Sequence, residues 1–558
     1  MSQAISEELE PSNSVLPTSM LIASSALLAA CGGGGDSSTS STPTGGGQTN
    51  TQPAVLPTEK EASRFTGQVL FTSPQTTVDD IKVKGYAAWL DEQFLIPQSE
   101  SRWDYLSNNG FGAIANQNSQ NGFDQAMWKK LISSPDELRQ RMTLALSEIL
   151  VVGIDGVPAS FRQFIVASYA DTLENFAFGN FRQLLGAVST HLAMGVYLTY
   201  RGNVKASTSG TLPDENYARE LMQLFTIGLY QLNPDGTLKL TNGKPVESYV
   251  QDDVTNLARV FTGWDYASSD NTTPERGRLP MTMVSSRHSP EAKNFLGLSI
   301  PANTDGVTSL KLALDHIFAH ANLPPFVCKQ LIQRFVCSNP TPAYVQRVVA
   351  VFIDNGAGVR GDLKAVLRAL LLDAEATSAT AGKLKEPIVR FVQWARTFGA
   401  TTSSTVGSDQ WKIGNTSDAA TRLGQSPGRS NSVFNFFRPG YVPPASAFAA
   451  GALTAPEFQI THESSVVGYI NYMQTAVTNG VSDVKANYTS WLPLASDTNA
   501  LINAINARLA SGALSAATLA TIASAVSSIA GATDADKTKR VQAAIILALA
   551  SPEFLVQK

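Results

Sequence analysis

A cluster of charged side chains stands immediately before an apolar segment in TLPDENYARELMQLFTIGL, residues 211–229. The cluster contains Asp214, Glu215, Arg219 and Glu220. If a helix begins near Asp214, then Glu215 and Arg219 are neighbours on one face and Glu220 borders the apolar face. A carboxylate at such a border can have a raised pKa and serve as a general acid or base, so Glu220 is the first candidate.

A structural interpretation of the same residues stays open and is favoured by residue type. Glu215 and Arg219 would form an ion pair, and Glu220 would bind an arginine such as Arg259 and lock two helices together. Ion pairs at helical spacing are common, and carboxylates alone are weak indicators of catalysis.

Glycoside-type hydrolysis would require a second carboxylate near Glu220. The two candidates are Asp253, which opens a helix of its own, and Asp265, which follows Trp264. Trp264 would then supply an aromatic surface for a sugar ring, together with Tyr266.

Two of the five histidines are further candidates for acid–base chemistry. His288 begins a turn in RHSPEAKNFLG, and His462 is flanked by glutamates in EFQITHES. A structural role is the commoner one for each of them. The candidate catalytic set is therefore Glu220, Asp253, Asp265, His288 and His462.

His316 and His320 lie four residues apart in LDHIFAHANL, which places both on one predicted helix face beside Asp315. Such a pair is half of a metal site. No third ligand follows nearby, and no glutamate stands between the histidines as in zinc peptidases, so we predict no metal site. Phosphate-loop, dinucleotide and serine-nucleophile patterns are missing from the sequence, which leaves any cofactor unknown.

The most aromatic stretch is RSNSVFNFFRPGYVPP, residues 429–444. Aromatic rings beside Arg and Asn bind glycans or peptide strands in many proteins. Rings without helical spacing also anchor loops that cover a helical body, and we favour this second interpretation. The candidate binding residues are Glu215, Asn216, Arg219, Trp264, Arg438 and Tyr441.

The first residues have the pattern of an exported lipoprotein. The apolar run MLIASSALLAA ends at Cys31 and is too short to span a membrane, so residues 1–31 are predicted to be a lipoprotein-type signal with Cys31 lipidated. Residues 32–59 form a predicted Gly/Ser/Thr-rich tether. Gly32 after the cysteine resembles bacterial outer-membrane lipoproteins, which predicts the cell envelope as the location. Because no basic residue precedes Lys60, a misread start site and an ordinary cleaved signal stay open.

The charge of the chain is nearly balanced, with 42 basic and 46 acidic residues and a net charge of −4. No basic stripe is visible, which predicts no nucleic-acid partner, and membrane contact is expected only through the lipid anchor. Cys328 and Cys337 lie nine residues apart on a predicted helix. A straight helix separates them too far for a disulfide, so both are predicted to be buried apolar residues.

Most segments after Lys60 repeat their apolar residues with the helical period. SPDELRQRMTLALSEILVV and DDVTNLARVFTGW begin with acids suited to a helix start, and a break near Gly179 divides SYADTLENFAFGNFRQLLG into two helices. TGQVLF is a weak strand pattern, and Asn242 followed by Gly243 predicts one hairpin turn.

We therefore predict a mainly α fold: a large multi-helical globular body with long ordered loops and at most a small β-hairpin. Residues 60–488 are the predicted helical core. Residues 489–558 are predicted to be Ala-rich C-terminal helices docked on that core.

Eight segments of the chain resemble, in order, segments of a bacterial family called domain of unknown function 1800. The segments are DENYARELMQLFTIGLYQLNPDGT, DDVTNLARVFTGW, HSPEAKNFLG, GVRGDLKAVLRALLLDAEA, KLKEPIVRFVQWAR, LGQSPGRSNSVFNFFRPGYVPP, EFQITHES and ALASPEFLVQ. The resemblance covers residues 60–558 and implies an exported, mostly helical protein.

The resemblance also bears on partners and on metals. Genes of the family often stand beside those of an exported family that resembles sulfatases and alkaline phosphatases, which implies a co-encoded partner of that kind. Many members carry Trp-His-x-His-Phe where this chain has LALSEILVV, residues 144–152. The chain therefore resembles the branch without those histidines.

Two classes of function follow from these observations. The first is a surface binding or scaffold protein that works with an exported partner, slightly favoured because no complete catalytic set is visible. The alternative is a carboxylate- or metal-assisted hydrolase that acts on a polysaccharide or another extracellular polymer. Whether the chain is an enzyme stays open at this point.

Overall fold

The computed structural model describes residues 56–207, 210–380 and 382–558, and this part of the chain is built mainly from helices. The first helices are α1 Glu59–Val69, α2 Gln75–Gln93, α3 Arg102–Asn108, α4 Phe123–Ser133, α5 Glu137–Ile149, α6 Arg162–Asn175, α7 Phe181–Thr190, α8 Leu192–Tyr197, α9 Asn216–Glu220, α10 Gln251–Val260 and α11 Gly306–Ala319. The later ones are α12 Leu323–Phe335, α13 Pro342–Ile353, α14 Leu363–Leu372, α15 Ala374–Thr377, α16 Pro387–Thr397, α17 Ala447–Ala450, α18 Glu463–Asn479, α19 Thr498–Leu509, α20 Ala516–Ser527, α21 Asp534–Ala550 and α22 Pro552–Leu555.

Shorter helical segments connect these elements. A π-helix, Leu221–Thr226, continues directly from α9. The 3₁₀ segments are Ile114–Asn116, Ile154–Gly156, Glu275–Arg278, Ser285–Arg287, Gly407–Asp409, Pro456–Ile460, Thr489–Trp491 and Leu494–Ser496. The mainly α prediction is confirmed.

Local sequence features predicted the positions of many of these helices. The acidic start predicted before α5 and the break near Gly179 between α6 and α7 are both present. In α10, Asp253 accepts the backbone N–H of Val250 at 2.8 Å and so caps the helix. The apolar residues Val254 and Leu257 recur at helical spacing in α10, and both are fully buried.

The strands form small antiparallel pairs. They are β1 Leu240–Thr241 with β2 Lys244–Pro245, β3 Trp264–Asp265 with β4 Thr282–Met283, β5 Lys293–Phe295 with β6 Leu298–Ile300, β7 Lys383–Leu384 with β10 Val556–Gln557, and β8 Thr401–Thr402 with β9 Val484–Lys485. The predicted hairpin turn is confirmed, since Asn242 and Gly243 both have positive φ angles, 52° and 76°, and join β1 to β2.

The strand pattern TGQVLF was wrong, because Thr66 and Val69 belong to the end of α1. A capping box between Thr58 and Glu61 starts this helix, and Phe65 and Val69 lie on its buried face. The helical period of the preceding residues therefore outweighs the strand preference of the last few.

Two hydrophobic cores organise the described body. The first lies among α1, α2 and the helices from α4 to α14. The second joins α3, α4 and α16 to the C-terminal helices α18 to α22. α5 supplies Leu146 to the first core and Leu144 to the second, so it lies where the two cores adjoin.

Cys328 and Cys337 are free and buried, as predicted. Burial raises the pKa of Cys337 to about 12. Among the described residues, none of the helices combines the length and apolar character that crossing a bilayer demands. Cys31, the predicted signal and the tether up to residue 55 lie outside the described residues.

Candidate functional site

Two glutamates from distant parts of the sequence meet where the hydrophobic cores adjoin. Glu148 lies in the last turn of α5, and Glu386 immediately precedes α16. Glu148 is 7% exposed and Glu386 is 1% exposed. Two buried carboxyl groups at one place need either partners or a shared proton.

Gln425 connects the two carboxyl groups. Its Nε2 donates to Glu386 Oε2 at 2.8 Å and lies 3.5 Å from Glu148 Oε1. Its Oε1 accepts the backbone N–H of Ile388 at 3.2 Å, which orients the amide. Both carboxyl groups therefore lie within reach of a single amide nitrogen.

Two buried cations hold the pair from the other side. Arg334 Nη1 lies 3.2 Å from Glu148 Oε2. Lys383 Nζ lies 3.6 Å from Glu386 Oε1 and 3.0 Å from Glu457 Oε1, and it donates to the backbone carbonyl of Arg334 at 3.0 Å. The network thus ties α5, α12, β7 and the start of α16 together.

The two glutamates have opposite pKa shifts. Burial, followed by the charge of Glu386, raises the pKa of Glu148 well above its usual range. Burial alone would also raise the pKa of Glu386. The hydrogen bond from Glu148 and the nearby cations Lys383, Arg334 and Arg141 outweigh that effect and lower the pKa of Glu386. Opposite shifts in two neighbouring carboxyl groups favour a protonated Glu148 beside an ionised Glu386 at neutral pH.

A small cavity adjoins Glu148. Its volume is about 20 Å³, which is room for one water molecule. The wall includes polar Ser147, Gln425, Ser426 and Asn435 and apolar Ile388 and Phe436. Glu148 and Gln425 line the cavity, and Glu386 lies behind Gln425 as the hydrogen-bond partner of its amide. Two carboxyl groups with pKa values shifted in opposite directions, close to space for one water, are groups that general acid–base hydrolysis uses.

The cavity is covered by residues 425–441, which we call the cover loop and which contain no helix or strand. Phe437 is 1% exposed, and its ring centre lies 4.7 Å from the Arg334 guanidinium. Arg429 fastens the loop to α4 through Asp124, at 2.6 Å and 3.0 Å. Phe437 therefore plugs the body, as the favoured interpretation of the aromatic stretch predicted.

Glu220, the first candidate from the sequence, lies outside this cluster. It is 7% exposed, and its Oε2 is buried without a hydrogen-bond partner in the described part of the chain. Burial raises the pKa of Glu220 to about 7, although Arg219 opposes the shift. The π-helix follows directly, and such helices are frequent at functional sites.

The charged residues before Glu220 form a clasp between α9 and α10. Glu215 accepts hydrogen bonds from Thr255 Oγ1 at 2.6 Å, from Gln251 Nε2 at 2.7 Å and from Arg219 Nη2 at 3.1 Å. The ion pair between Glu215 and Arg219 is therefore confirmed. The expected bond between Glu220 and Arg259 was wrong, because Arg259 Nε pairs with Glu291 at 2.9 Å instead.

The two aspartates proposed as partners of Glu220 each hold local structure. Asp253 caps α10 and also accepts the backbone N–H of Leu296 at 2.7 Å. Asp265 lies 3.1 Å from Arg201 Nη1 and 2.6 Å from Arg287 Nη1. Burial opposes ionisation of Asp265, but the Tyr266 N–H and these arginines outweigh it and lower its pKa.

The two candidate histidines lie in different settings. His288 is buried, its Nδ1 is 2.9 Å from the Thr262 carbonyl oxygen, and burial lowers its pKa. His462 is exposed and precedes α18, where its backbone N–H donates to Ser465 Oγ at 2.9 Å. Glu457, which flanks His462 in sequence, binds Lys383. Within the described residues, no hydrogen bond or ion pair joins any two of the five catalytic candidates.

The remaining candidate binding residues are spread over the body. Trp264 is 5% exposed, so its ring faces are buried. Asn216 is exposed at the start of α9. Arg438 is exposed and lies 4.6 Å from the ring centre of Phe434, and Tyr441 is half-buried at the end of the cover loop. Their roles in binding stay predictions.

The described part of the chain contains no group of three or more His, Cys, Asp and Glu side chains placed to hold a metal ion. Asp315 pairs with Arg182 at 2.8 Å. His316 Nε2 lies 2.9 Å from the Leu296 carbonyl oxygen, and His320 Nδ1 accepts the Asn322 N–H at 3.1 Å.

Glu148, Glu386 and Gln425 are not among the candidate residues that the sequence predicted. The available signal for Glu148 was a single carboxylate in the otherwise apolar run LALSEILVV. Glu386 looked like a helix start before Pro387, and Gln425 looked like part of a turn. No local pattern connects the three residues, because they meet only through packing of α5, α16 and the cover loop.

A family model described as a protein of unknown function, DUF1800, matches residues 64–556. The match covers most of the sequence, and the chain belongs to this family. No curated protein and no solved structure matches the chain.

Proposed function

We propose that the chain is a hydrolase in which Glu148 and Glu386 act as general acid and general base. The observation that carries this proposal is the pair of buried carboxyl groups within reach of one amide nitrogen, next to a cavity of one-water size. Their pKa values are shifted in opposite directions, which suits an acid and a base. Glu386 would take a proton from the water molecule while the water oxygen attacks the carbonyl carbon of the substrate. Glu148 would give its proton to the carbonyl oxygen, and Glu386 would later protonate the leaving group while Glu148 recovers its proton.

The opposite pKa shifts of the two carboxyl groups favour amide or ester bonds over glycosidic bonds. Neighbouring carboxyl groups of which one is protonated and the other ionised are typical of proteases that activate water.

The location that we propose is the cell envelope, with a lipid at Cys31 and the tether holding the body away from the membrane. The apolar run before Cys31 and the Gly/Ser/Thr-rich residues after it support this proposal. The substrate would be an extracellular polymer with amide or ester bonds.

Turnover by two isosteric variants tests the proposed chemistry. Wild-type protein would be assayed on peptide, acyl-ester and glycoside substrates. We expect hydrolysis of an amide or ester, and a fall in kcat/KM of about 100-fold or more for Glu148→Gln and for Glu386→Gln. Glu463→Gln, an exposed glutamate at the start of α18, is the matched control. Full activity of Glu148→Gln would contradict the proposal.

A covalent probe tests the same chemistry without a known substrate. An aryl-oxy-propane epoxide should esterify Glu386: the carboxylate oxygen attacks an epoxide carbon, the C–O bond opens, and Glu148 protonates the released oxygen. Mass spectrometry should find the ester on Glu386 in wild-type protein and little of it in Glu148→Gln. Equal labelling of both proteins would count against a shared-proton pair.

The second candidate function is a surface scaffold for an exported partner that resembles sulfatases and alkaline phosphatases. One observation favours it: Val466, Val467 and Ile470 form an exposed apolar row on α18, with Val467 58% exposed. Co-purification of the co-expressed partner should be lost in Val467→Asp and kept in Glu463→Gln. Absence of the partner from the wild-type pull-down would exclude this function.

A further inference from the structure

A second and larger cavity lies between α1, the start of α2 and the end of α19. Its volume is about 270 Å³, close to the lower end of the range for small-molecule sites. None of the residues discussed for the carboxyl pair lines it.

Hydrogen bonds of serine hydroxyls connect the segments that line this cavity. Ser63 Oγ donates to the Ala507 carbonyl at 3.0 Å, and Ser73 Oγ donates to the Ser63 carbonyl at 2.9 Å. Ser73 and Ser511 hydroxyls lie 3.4 Å apart. These bonds join α1 to the end of α19, so the cavity is formed before any ligand arrives.

Two cations line the cavity without an acidic partner. Within the described residues, neither Arg508 nor Lys60 forms an ion pair, and Arg508 Nε is buried with no hydrogen-bond partner. The carboxylate of Glu59 also lines the cavity, but it is bound by Lys82 Nζ at 3.3 Å. The lining therefore carries an excess of positive charge.

We propose that this cavity is a binding site for a small organic anion, a carboxylate or a phosphate monoester. Arg508 would hold the anionic group through its guanidinium, with Lys60 as the second charge. Val78 and Ala507 would contact the apolar part of the ligand. The proposal is independent of the hydrolase chemistry, because it uses other residues in another cavity.

Calorimetric titration of the full chain with phenyl phosphate and benzoate tests the site. At least one anion should bind wild-type protein, and benzyl alcohol, which has the ring without the charge, should not. Affinity should fall about tenfold or more in Arg508→Gln and be partly kept in Arg508→Lys, since a charge-assisted hydrogen bond is lost only in the first. Inorganic phosphate should bind more weakly than phenyl phosphate if the apolar walls contribute.

Substitutions of two exposed lysines provide a matched comparison, because neither substitution should disturb the fold. Lys60→Gln should weaken anion binding, whereas Lys485→Gln, an exposed lysine outside the cavity, should not. Unchanged binding in a Lys60→Gln, Arg508→Gln double variant would overturn the proposal, as would a wild-type protein that binds none of these anions.

Discussion

Glu148 and Glu386 are chemically the same side chain, yet their surroundings shift their pKa values in opposite directions. Glu148 has one arginine as a partner, and burial dominates its pKa. Glu386 is influenced by three cations and by the proton of Glu148, which together outweigh burial. Pairs of titratable groups whose pKa values are pushed apart are the pattern expected of an acid and a base.

The two glutamine variants should differ in stability for the same reason. Glu148→Gln replaces a neutral carboxyl by a neutral amide, so the free energy of unfolding at pH 7 should change by less than about 1 kcal/mol. Glu386→Gln leaves Lys383 and Arg334 with less compensating charge and should cost about 3 to 5 kcal/mol. Guanidinium denaturation of both variants measures the difference, and equal losses would contradict the assigned protonation states.

Glu220 should make stability depend on pH. The folded-state pKa of about 7 lies above the ordinary value of 4.5, so the folded chain holds this proton more tightly than the unfolded chain. The contribution is fully present below pH 4.5 and is lost as the pH rises to 7, by on the order of 3 kcal/mol. The free energy of unfolding, measured by denaturation at several pH values, should depend less on pH in Glu220→Gln than in wild-type protein. The same pH dependence in both proteins would show that Glu220 is solvated in the folded state.

At the scale of single elements, capping and clasping residues position the helices around Glu220. α10 is capped by Asp253 and held to α9 by Glu215, Gln251 and Thr255. These contacts are local or join neighbouring helices. They explain why so many charged side chains near Glu220 have structural partners. In the part of the chain that the structure describes, the buried Oε2 of Glu220 has no hydrogen-bond partner.

The two adjacent aspartates of α10 offer a matched test of capping. Asp253 accepts the N–H groups of Val250 and Leu296, so Asp253→Ala should lower the free energy of unfolding by about 1 to 2 kcal/mol. Asp252 is exposed in the same turn, and Asp252→Ala should cost less than about 0.5 kcal/mol. Thermal unfolding of the two variants measures the contrast. Similar losses of unfolding free energy in the two variants would mean that the negative charge near the helix start stabilises α10 and that the hydrogen bonds of Asp253 do not.

At the scale of the whole molecule, the C-terminal helices share a core with α16, which begins directly after Glu386. Trp394 of α16 and Ile545 of α21 are both fully buried in the second core. Gln393 donates to the Leu509 carbonyl at 2.9 Å, and Gln557 donates to the Phe335 carbonyl at 2.6 Å. The end of the chain therefore supports the segments that carry Lys383 and Glu386.

A chain that stops at residue 488 should consequently fail to fold. Removal of α19 to α22 and β10 would expose the α16 side of the second core and unpair β7. Size-exclusion chromatography and circular dichroism would compare it with a chain that begins at residue 56, which should elute as one compact species and melt cooperatively. A compact, cooperatively melting product from residues 56–488 would show that the C-terminal helices are an independent unit.

Much of the architecture follows from the sequence by itself. Helical periodicity, the Thr58 and Asp253 caps and the Asn242–Gly243 turn act over a few residues, so they are legible without any tertiary information. The eight ordered segments also predicted the family, which the family model over residues 64–556 confirms. The local error at Thr66–Phe71 arose because a short strand-like run continues a longer helical pattern.

Only the tertiary structure decided where the carboxyl pair lies. Glu148, Glu386 and Gln425 have no common spacing, and each looks ordinary within its own segment. The tertiary fold brings the end of α5 and the start of α16 to Gln425 of the cover loop, within reach of one amide and away from water. Because pKa shifts depend on burial and on charges from distant segments, they follow from that packing and could not be derived from residue order.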